Sequence, residues 1–477
     1  MADDIDVTRS LIDQRATDDI DVLVLGAGIA GLAAAAALRE HGLSVLLVEG
    51  RDRIGGRIHS VQLQSGSTID LGASWIHGNS SSNPVAVIAA AEGLQLVATD
   101  ARENSLHART GQLLATSVKQ QHELLFQKFE SYLEQLQDDS STCKQLSVAD
   151  AQKAFVQQQG LSTEQQHGLD FMINTRIEQE YGADAADLSA LWFDADEPCD
   201  GDDVLFPAGY SQVVQAVARC SSSSSSSSGV TVHAETPSGS VAFTARHAIV
   251  TFPIGVLKAQ HSRLFEPPLP AAKQAAIANL GVGLLDKVFL FYQHPFWERA
   301  GTAWINRMPQ QGVPGGGRWQ EWFSASKSLP QLPALVAFNC GSPAWQAERD
   351  SDEQLTQQVT DVLVSMFPQA AAAAKSPTQV IVTRWGTDPF SLGSYAMMPP
   401  GSSPADMAAL AAPVSDVLFF AGEAMSAANQ GTVHGAYATG QDAAQAVLQA
   451  HKQRQQQQQQ QQQEAQLESA ALPLQVA

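Results

Sequence analysis

The chain has 477 residues, of which 44% are hydrophobic, and its formal net charge is −21. This length allows two or three globular domains, and the acidic balance argues against nucleic-acid binding, because phosphates attract a basic surface. No apolar run approaches the roughly 18–20 residues that a membrane-spanning helix needs. We therefore expect neither nucleic acid nor a membrane as a partner. The charge is compatible with cationic substrates, although by itself it is more typical of an ordinary acidic protein.

The four cysteines are far apart and form no CxxC pair. We therefore expect neither a disulfide framework nor a metal site, and a reducing compartment fits this pattern. The N-terminus is acidic and lacks the basic and apolar segments of a signal peptide. The last residues, LQVA, are not a peroxisomal signal. The expected location is cytoplasmic, with a peroxisomal location as an alternative that has no readable signal.

The first predicted unit is a strand, a turn, a helix and a second strand. Residues 21–25, DVLVL, are predicted to form a buried parallel strand, and residues 26–31 read GAGIAG, a GxGxxG turn. An alanine-rich helix is predicted over 32–41, and residues 44–48, SVLLV, are predicted to form a second strand that leads to Glu49. This is the full βαβ context that a dinucleotide-binding turn requires.

Each residue of the turn has a physical role in holding a dinucleotide. Gly26 permits the tight turn, Gly28 lets a pyrophosphate approach the backbone, and Gly31 lets the helix pack on the strand. The helix N-terminus offers free N–H groups and a partial positive charge to phosphates. Glu49 can accept hydrogen bonds from ribose hydroxyls. The sequence therefore predicts an NAD or FAD site rather than a glycine turn without a ligand.

The segments that follow distinguish between these two cofactors. They are, in chain order, RDRIGGR at 51–57, DLGASWIHG at 70–78, AIVTFPIGVLK at 248–258, GVGLLDKV at 281–288, RWG at 384–386, GSY at 393–395, LFFAGE at 418–423 and GTVHGAY at 431–437. Together they resemble the flavin-containing amine oxidase family. The WIHG run points to its polyamine oxidase branch, in particular the intracellular plant type and the animal spermine oxidases.

The resemblance implies a bound FAD. The implied cofactor-binding residues are Gly26, Gly28, Gly31, Glu49, Arg51, Gly56, Arg57, Gly72, Ala73, Ser74, Trp385, Glu423, Thr432 and Val433. Arg57 is expected on the pyrophosphate, which suits a guanidinium fork, and Glu423 near the ribityl–phosphate region. Thr432 and Val433 are expected to begin a helix whose N-terminus faces the flavin's pyrimidine edge. Ser394 replaces the cysteine that links flavin covalently in some relatives, so we expect FAD to be non-covalent.

Three residues are nominated for catalysis. Lys287 precedes an apolar run at 288–292. A lysine at the start of a buried strand needs polar partners for its ammonium group. The resemblance implies that Lys287 reaches flavin N5 through a water, that Tyr395 walls the substrate channel, and that His77 contacts the substrate amine. A surface lysine, a core aromatic and a structural histidine are the alternatives.

Two further features concern the substrate. Many relatives carry a second aromatic residue at the position of Thr432, so its replacement favours thin, flexible amines. An acidic segment loosely matches the entrance carboxylates of relatives, and a solvated helix face is an equally good interpretation. This segment contains Glu178, Glu180, Asp184 and Asp187.

The expected fold class is α/β, with a Rossmann-type FAD-binding domain interleaved with an α+β substrate domain that carries a mixed sheet. The FAD-binding domain is expected at 20–85, 204–270 and 378–450, and the substrate domain at 86–203 and 271–377. Disorder is predicted for the N-terminus, 1–19, the serine run, 221–228, and the glutamine-rich tail, 451–477. In relatives, a strand at the place of the serine run carries a valine that contacts adenine.

The predicted function is FAD-dependent oxidation of polyamines, by hydride transfer from the carbon next to a secondary amine to flavin N5. The products are H2O2, an aldehyde and a shorter amine. One alternative is a histone-lysine demethylase, whose relatives carry extra partner-binding modules, whereas no long coiled-coil insertion is visible here. The other is a catalytically silent FAD-binding protein. The expected partners are the polyamine and O2, with no protein partner predicted.

Overall fold

The computed structural model describes residues 20–138, 143–197, 199–219, 229–237, 239–298, 301–309, 318–329 and 331–470. The predictions for 1–19, for 221–228 and for the last part of the tail, 471–477, therefore lie outside the described residues. The strands, numbered in chain order, are β1 Ile20–Leu25, β2 Val45–Val48, β3 Ser60–Gln62, β4 Thr68–Asp70, β5 Trp75–Ile76, β6 Val97–Thr99, β7 Asn104–His107, β8 Asp203–Leu205, β9 Val230–Thr236, β10 Gly239–Val250, β11 Gly281–Gly283, β12 Leu285–Phe291, β13 Trp304–Arg307, β14 Glu321–Ser324, β15 Ala334–Cys340, β16 Gln379–Val382, β17 Tyr395–Met397 and β18 Leu418–Phe420.

The helices follow the same numbering. They are α1 Ile29–Glu40, α2 Pro84–Ala91, α3 Thr116–Asp138, α4 Val148–Gln159, α5 Thr163–Ile173, α6 Gln179–Tyr181, α7 Ser211–Ala218, α8 Ile254–Leu264, α9 Ala271–Asn279, α10 Ala325–Ser328, α11 Gly341–Ala347, α12 Asp352–Met366, α13 Ala371–Ala374, α14 Pro404–Ala411 and α15 Val433–Ala470. A π-helical turn, Asn174–Glu178, joins α5 to α6, and short 3-10 turns lie at Pro368–Ala370 and Glu423–Met425.

A parallel sheet combines strands from the start, the middle and the end of the chain, in the order β18-β10-β1-β2. Val22, Leu23 and Val24 of β1 are fully buried, because a strand covered on both faces needs a continuous apolar run. The first half of β10 pairs with β9 in an antiparallel hairpin, and its second half pairs with β1. The predicted βαβ unit is confirmed as β1, α1 and β2.

The first and last helices pack closely over this sheet. A Cβ atom on Gly31 of α1 would lie 2.0 Å from the carbonyl oxygen of Gly26, so the turn can close only over a glycine. Likewise, a Cβ atom on Gly440 of α15 would lie 2.2 Å from the carbonyl oxygen of Ala30. The two helices therefore meet backbone to backbone, which brings the end of the chain beside the dinucleotide turn.

A second, six-stranded sheet has the order β16-β12-β15-β14-β13-β7. Its strands pair antiparallel except for β13 and β7, which are parallel. This is the predicted mixed sheet, and the α/β fold class is confirmed. One face of β12, β15 and β14 forms a wall of the site described below.

The C-terminal helix differs from the sequence prediction. Disorder was expected from residue 451, but α15 continues through the glutamine run to Ala470. Glutamine is a good helix former, and a helix already nucleated by packing extends at little further cost.

The proposed domain boundaries stay predictions. Among the described residues, no helix is both long enough and apolar enough to cross a membrane.

Candidate active site

A cavity of about 1560 Å³ runs from the turn after β1 to the mixed sheet. It exceeds the roughly 300–1,000 Å³ of a typical small-molecule pocket. The nominated residues that line it are Gly26, Gly28, Glu49, Arg51, Gly56, Arg57, Gly72, Ala73, Ser74, His77, Lys287, Trp385, Tyr395, Glu423, Thr432 and Val433. Gly31 does not line it and instead packs beneath the turn against Gly26. The structure thus brings the residues nominated for cofactor binding and catalysis, apart from Gly31, to one cavity.

The N-terminus of α1 opens onto one end of this cavity. Gly28 is its N-cap residue and supplies no side-chain hydrogen bond to the first turn. A Cβ atom on Gly28 would meet nothing within 4 Å, so the space in front of the helix is open. Uncapped N–H groups at a helix N-terminus attract anions. This end of the cavity is therefore suited to a pyrophosphate.

Glu49 lies at the end of β2, on the same wall. Its carboxylate accepts hydrogen bonds from the backbone N–H of Ala27, at 2.6 Å, and from that of Arg51, at 2.9 Å. These bonds fix the carboxylate beside the glycine turn. Each oxygen keeps a lone pair for a further donor, which fits the predicted contact with a ribose hydroxyl.

Arg51 is held by a loop from the distant part of the chain. Its guanidinium donates to both carboxylate oxygens of Asp388, at 2.7 and 2.6 Å, and to the hydroxyl of Ser391, at 2.9 Å. Although burial opposes ionisation, these bonds lower the pKa of Asp388. The side chain of Arg51 thus closes the cavity wall rather than pointing freely at a phosphate.

Arg57 and Glu423 form an ion pair across the cavity, 2.8 Å from nitrogen to oxygen. Arg57 also donates to the carbonyl oxygen of Ser394, at 2.8 Å. The other carboxylate oxygen of Glu423 accepts from the backbone N–H of Ala396, at 3.1 Å, and of Gly431, at 3.2 Å. Glu423 therefore connects β17, the arginine and the turn before α15, so it organises the site as well as lining it.

The start of α15 faces the same cavity. The hydroxyl of Thr432 accepts from the backbone N–H of Gly435, at 3.0 Å, and donates to the carbonyl oxygen of Asn429, at 2.8 Å. Thr432 is thus the cap of the helix that begins at Val433. The positive end of the helix macrodipole points into the cavity and favours negative charge there.

Lys287 is buried, with 6% of its surface exposed, on a strand that is buried almost throughout. Its ammonium donates to the carbonyl oxygens of Gly72, at 2.6 Å, and Asp70, at 3.3 Å, and to the hydroxyl of Ser74, at 2.7 Å. These three acceptors are the polar partners that a buried lysine needs. Burial lowers the pKa of Lys287 to about 8, although Asp70 and Asp286 act in the opposite direction.

Tyr395 and Trp385 form another part of the wall. The hydroxyl of Tyr395 donates to the carbonyl oxygen of Gln179, at 3.1 Å, and burial raises the pKa of the phenol well above its usual value. The indole of Trp385 donates to the carbonyl oxygen of Leu71, at 3.2 Å. Both rings are therefore fixed by hydrogen bonds to backbone carbonyls and present rigid faces to the cavity.

His77 lies on the cavity wall with its side chain 49% exposed. Its Nδ1 lies 3.2 Å from Oδ2 of Asp203, whose other oxygen accepts the backbone N–H of Gly78 at 3.1 Å. Desolvation opposes protonation, but the hydrogen bond to Asp203 and the charges of Glu180, Asp203 and Asp196 raise the pKa of His77 to about 9. His77 is therefore a cation held among carboxylates.

The structure places the acidic residues differently from the loose sequence match. Of the four residues nominated at 178–187, only Glu180 lines the cavity. Glu178 is buried against Asn174 and the backbone N–H of Ala185, and Asp184 accepts from the backbone N–H of Ser342. Five further carboxylates line the cavity that sequence reasoning missed, namely Asp196, Asp203, Glu235, Glu266 and Glu321. Glu321 lies in a short buried strand, directly before the aromatic pair Trp322 and Phe323, and a charged residue before apolar ones is the signal that singled out Lys287.

The donors and acceptors of the cavity fit a dinucleotide rather than a metal ion. An open helix N-terminus, a fixed carboxylate and a paired arginine lie along one wall. Within the described ranges, no three His, Cys, Asp or Glu residues come together as metal ligands. The second helix N-terminus, at Val433, matches the electron-rich end of a flavin.

The comparison with protein families agrees with this geometry. Residues 29–448 match the model of the flavin-containing amine oxidoreductases. The chain belongs to this family. FAD is accordingly its cofactor, and amine oxidation is its chemistry.

Curated relatives extend over most of the chain. It is 33% identical over 456 residues to polyamine oxidase 4 of Oryza sativa subsp. japonica, covering 91% of this chain and 89% of the relative. It is also 33% identical to the probable polyamine oxidase 4 of Arabidopsis thaliana, covering 89% and 86%. A lysine-specific histone demethylase 1 homolog 2 of Arabidopsis thaliana is 32% identical, but the match covers 58% of that protein.

Solved structures support the fold. Putrescine oxidase bound to putrescine superposes with a TM-score of 0.69 at 21% identity, covering 90% of this chain and 99% of the other. A redesigned double mutant of putrescine oxidase gives a TM-score of 0.70 at 20% identity, covering 90% and 98%. At this identity, the similarity establishes the architecture alone.

Proposed function

We propose that the protein oxidises linear polyamines, such as spermine, spermidine or their acetyl derivatives, at a secondary amine. Two electrons and two protons leave the carbon–nitrogen unit, and O2 takes them up as H2O2. Water then hydrolyses the resulting imine to an aldehyde and a shorter amine. The relatives named polyamine oxidase support this substrate class.

The observation that carries the proposal is the acidic wall of the cavity. Glu180, Asp196 and Asp203 line the cavity together with His77 and Tyr395, and the charges of all three raise the pKa of His77. Asp196 accepts a hydrogen bond from the hydroxyl of Tyr181, at 3.1 Å. Three carboxylates against one imidazolium leave an excess of negative charge, and this favours a ligand with more than one ammonium group.

The shape of the channel supports a thin substrate. The rigid ring of Tyr395 lies beside Gly431, and the next residue is Thr432, whose small side chain is committed to capping α15. The second side of the channel therefore lacks an aromatic plane at this position. A flexible aliphatic chain fits such a channel better than a flat aryl group.

Bound FAD accepts the hydride equivalent, and the protein holds, orients and desolvates the reactants. The α1 N-terminus and the Arg57–Glu423 pair would hold the cofactor. Lys287 is fixed to Gly72 and Ser74 beside the predicted flavin position. A buried ammonium there disfavours a second positive charge nearby. It therefore favours the neutral amine, which has the lone pair that oxidation requires.

The demethylase homologues make a methylated lysine side chain the second candidate substrate. A methylated lysine is also an amine with a long aliphatic chain. It differs in carrying a peptide backbone and in having no second amine at a fixed distance.

The test is a peroxide assay together with anaerobic stopped-flow bleaching of the purified flavoprotein. The substrates are spermine, spermidine, their acetyl derivatives, benzylamine and a methyl-lysine histone peptide. We expect spermine or spermidine, or an acetyl derivative of either, to have the highest kcat/KM. Faster bleaching by benzylamine or by the peptide would overturn the polyamine assignment, and no bleaching by any amine would favour a silent FAD-binding protein.

A further inference from the structure

We infer that Asp286 and Glu348 are a positioning pair that shares one proton and thereby holds Trp385 in place on the cavity wall. Neither carboxyl group lines the cavity, so the pair acts through Trp385 and touches neither the substrate nor the cofactor. The inference goes beyond the proposed function, because it concerns the FAD-dependent amine oxidation of the family and holds whichever amine is the substrate.

Three consecutive backbone N–H groups fix the segment that carries the indole of Trp385. The N–H of Trp385 itself donates to Oδ1 of Asp286, at 3.1 Å. The next two, from Gly386 and Thr387, donate to the two carboxylate oxygens of Glu348, at 2.6 and 3.1 Å. Asp286 lies on β12, whereas Glu348 directly follows α11. The position of Trp385 therefore depends on how two carboxyl groups from different elements lie relative to each other.

Asp286 also fixes the strand that carries Lys287. The hydroxyl of Thr383, which directly follows β16, donates to Oδ1 of Asp286 at 2.7 Å and accepts the backbone N–H of Lys287 at 2.8 Å. The side chains of Lys287 and Trp385 then donate to adjacent carbonyl oxygens of the loop after β4, at 2.6 and 3.2 Å. One buried carboxyl group thus positions both of these side chains on the loop.

The hydrogen bonds assign the shared proton to Asp286. Both oxygens of Glu348 already accept donors, because the hydroxyl of Thr387 adds to the two backbone N–H groups. On Asp286, these donors meet Oδ1, and a further side-chain hydrogen bond joins the residue to Glu348. Two carboxyl groups can form such a bond only when one of them is protonated. Burial, reinforced by the charge of Glu348 and opposed by the hydroxyl of Thr383, raises the pKa of Asp286 well above its usual range.

No bound cation replaces the proton once it is lost. Lys287 follows Asp286 on the strand, so its side chain points to the opposite face. Arg384 lies near Asp286, but its guanidinium donates to two backbone carbonyl oxygens and to the carboxylate of Asp352. Among the residues that the structure describes, none forms an ion pair with Asp286 or Glu348. At high pH, two like charges therefore face each other, and their repulsion separates the two anchors of Trp385.

The first test is hydrogen exchange in the holoenzyme without substrate, which does not depend on turnover. Amide exchange at residues 385–387 reports whether these N–H groups keep their acceptors. After correction for the intrinsic rate, we expect exchange in the wild type to rise at least about threefold between about pH 7 and 9. In Asp286→Asn, an amide N–H replaces the shared proton at every pH, so exchange should not rise. Asp286→Leu should exchange at the faster rate throughout.

Anaerobic stopped-flow reduction tests whether the position of Trp385 matters for the chemistry. The substrate is the amine with the highest kcat/KM in the assay above. Dividing the wild-type rate at saturating substrate by that of Asp286→Asn removes the ionisation of the amine, which both enzymes share. We expect this ratio to fall at least about threefold between about pH 7 and 9. Asp361→Asn, an exposed carboxylate on α12 that does not line the cavity, is the matched control and should behave like the wild type.

The outcomes separate this inference from the proposed function. If exchange at 385–387 and the rate ratio are both independent of pH, the shared proton is wrong, whichever amine is oxidised. If exchange rises but the rate ratio stays constant, the positioning role is wrong. If Asp286→Asn does not fold, wild-type exchange that follows only the intrinsic rate also overturns the inference. If no amine reduces the flavin, the proposed function fails, and the exchange experiment still decides whether the pair holds Trp385.

Discussion

The ammonium of Lys287 donates to the carbonyl oxygen of Gly72 at 2.6 Å, which joins the mixed sheet to the loop that follows β4. Both residues line the cavity, so the bond joins two of its walls. Ser74 holds the same ammonium from the same loop, at 2.7 Å. The lysine therefore fixes the relative position of the two walls as well as supplying a charge.

Replacing Lys287 by methionine should retain FAD and slow turnover at least tenfold, equivalent to about 1.4 kcal/mol in the barrier. The apolar chain remains, but the ammonium beside the reacting groups is lost. Rapid-scan kinetics would measure flavin reduction and reoxidation separately. Lys153→Met, an exposed lysine on α4, is the control. Unchanged rates in both half-reactions would remove Lys287 from the catalytic residues.

FAD should leave the protein on denaturation. Ser394 lies in the cavity beside Tyr395, and its hydroxyl is bonded to the backbone of Leu285, donating to the carbonyl oxygen at 2.9 Å. A hydroxyl in this position cannot form the thioether that a cysteine would. Acid precipitation should therefore leave the yellow colour in the supernatant. Colour that stays with the pellet after washing would show a covalent link.

The His77–Asp203 pair should make stability depend on pH. The folded-state pKa of His77 is raised to about 9, so its contribution is fully present below about 6.5 and is lost as pH rises from about 6.5 to 9. Because the pair is half exposed, the effect should stay below about 1 kcal/mol. Chemical unfolding of the holoenzyme should show the difference between wild type and His77→Ala shrinking across this range. Asp203→Asn should remove the same slope, and a slope that survives in both variants would exclude the pair.

Polyamine turnover should respond to salt and pH in different ways. Electrostatic attraction to the acidic wall is screened beyond about 8–10 Å at moderate ionic strength, so salt should raise KM more than it lowers kcat. Oxidation needs a neutral nitrogen, so flavin reduction at saturating spermine should accelerate above about pH 7. Steady-state kinetics at constant pH would measure the response to salt. Stopped-flow experiments at constant ionic strength would measure the response of flavin reduction to pH. A KM that is independent of salt would argue against steering by the wall.

Local patterns predicted much of this molecule. The βαβ unit follows from a buried strand, GAGIAG and an alanine-rich helix that are adjacent in sequence, and the structure contains it as β1, α1 and β2. Lys287 could be singled out because it directly precedes the apolar run at 288–292. Its acceptors, Gly72 and Ser74, are more than two hundred positions away, and only the folded chain shows that they meet.

Other features depend on register and on distant packing. Glu321 shares a face with Lys287 only because β14 and β12 both pair with β15, and periodicity within one strand carries no such information. The glutamine run has no apolar pattern, which suggested disorder, but it continues a helix anchored by Gly440 against Ala30. The prediction of disorder from composition was therefore wrong for the glutamine run, because the packed segment before it determines its conformation.

The contact between α1 and α15 also constrains when the site can form. The cavity is lined by Gly26 and Gly28 near one end of the sequence and by Thr432 and Val433 near the other. A ribosome presents the glycine turn long before it presents the helix that faces it. Cofactor capture must therefore follow synthesis of nearly the whole folded region, and a nascent chain halted before α15 would expose an incomplete cleft.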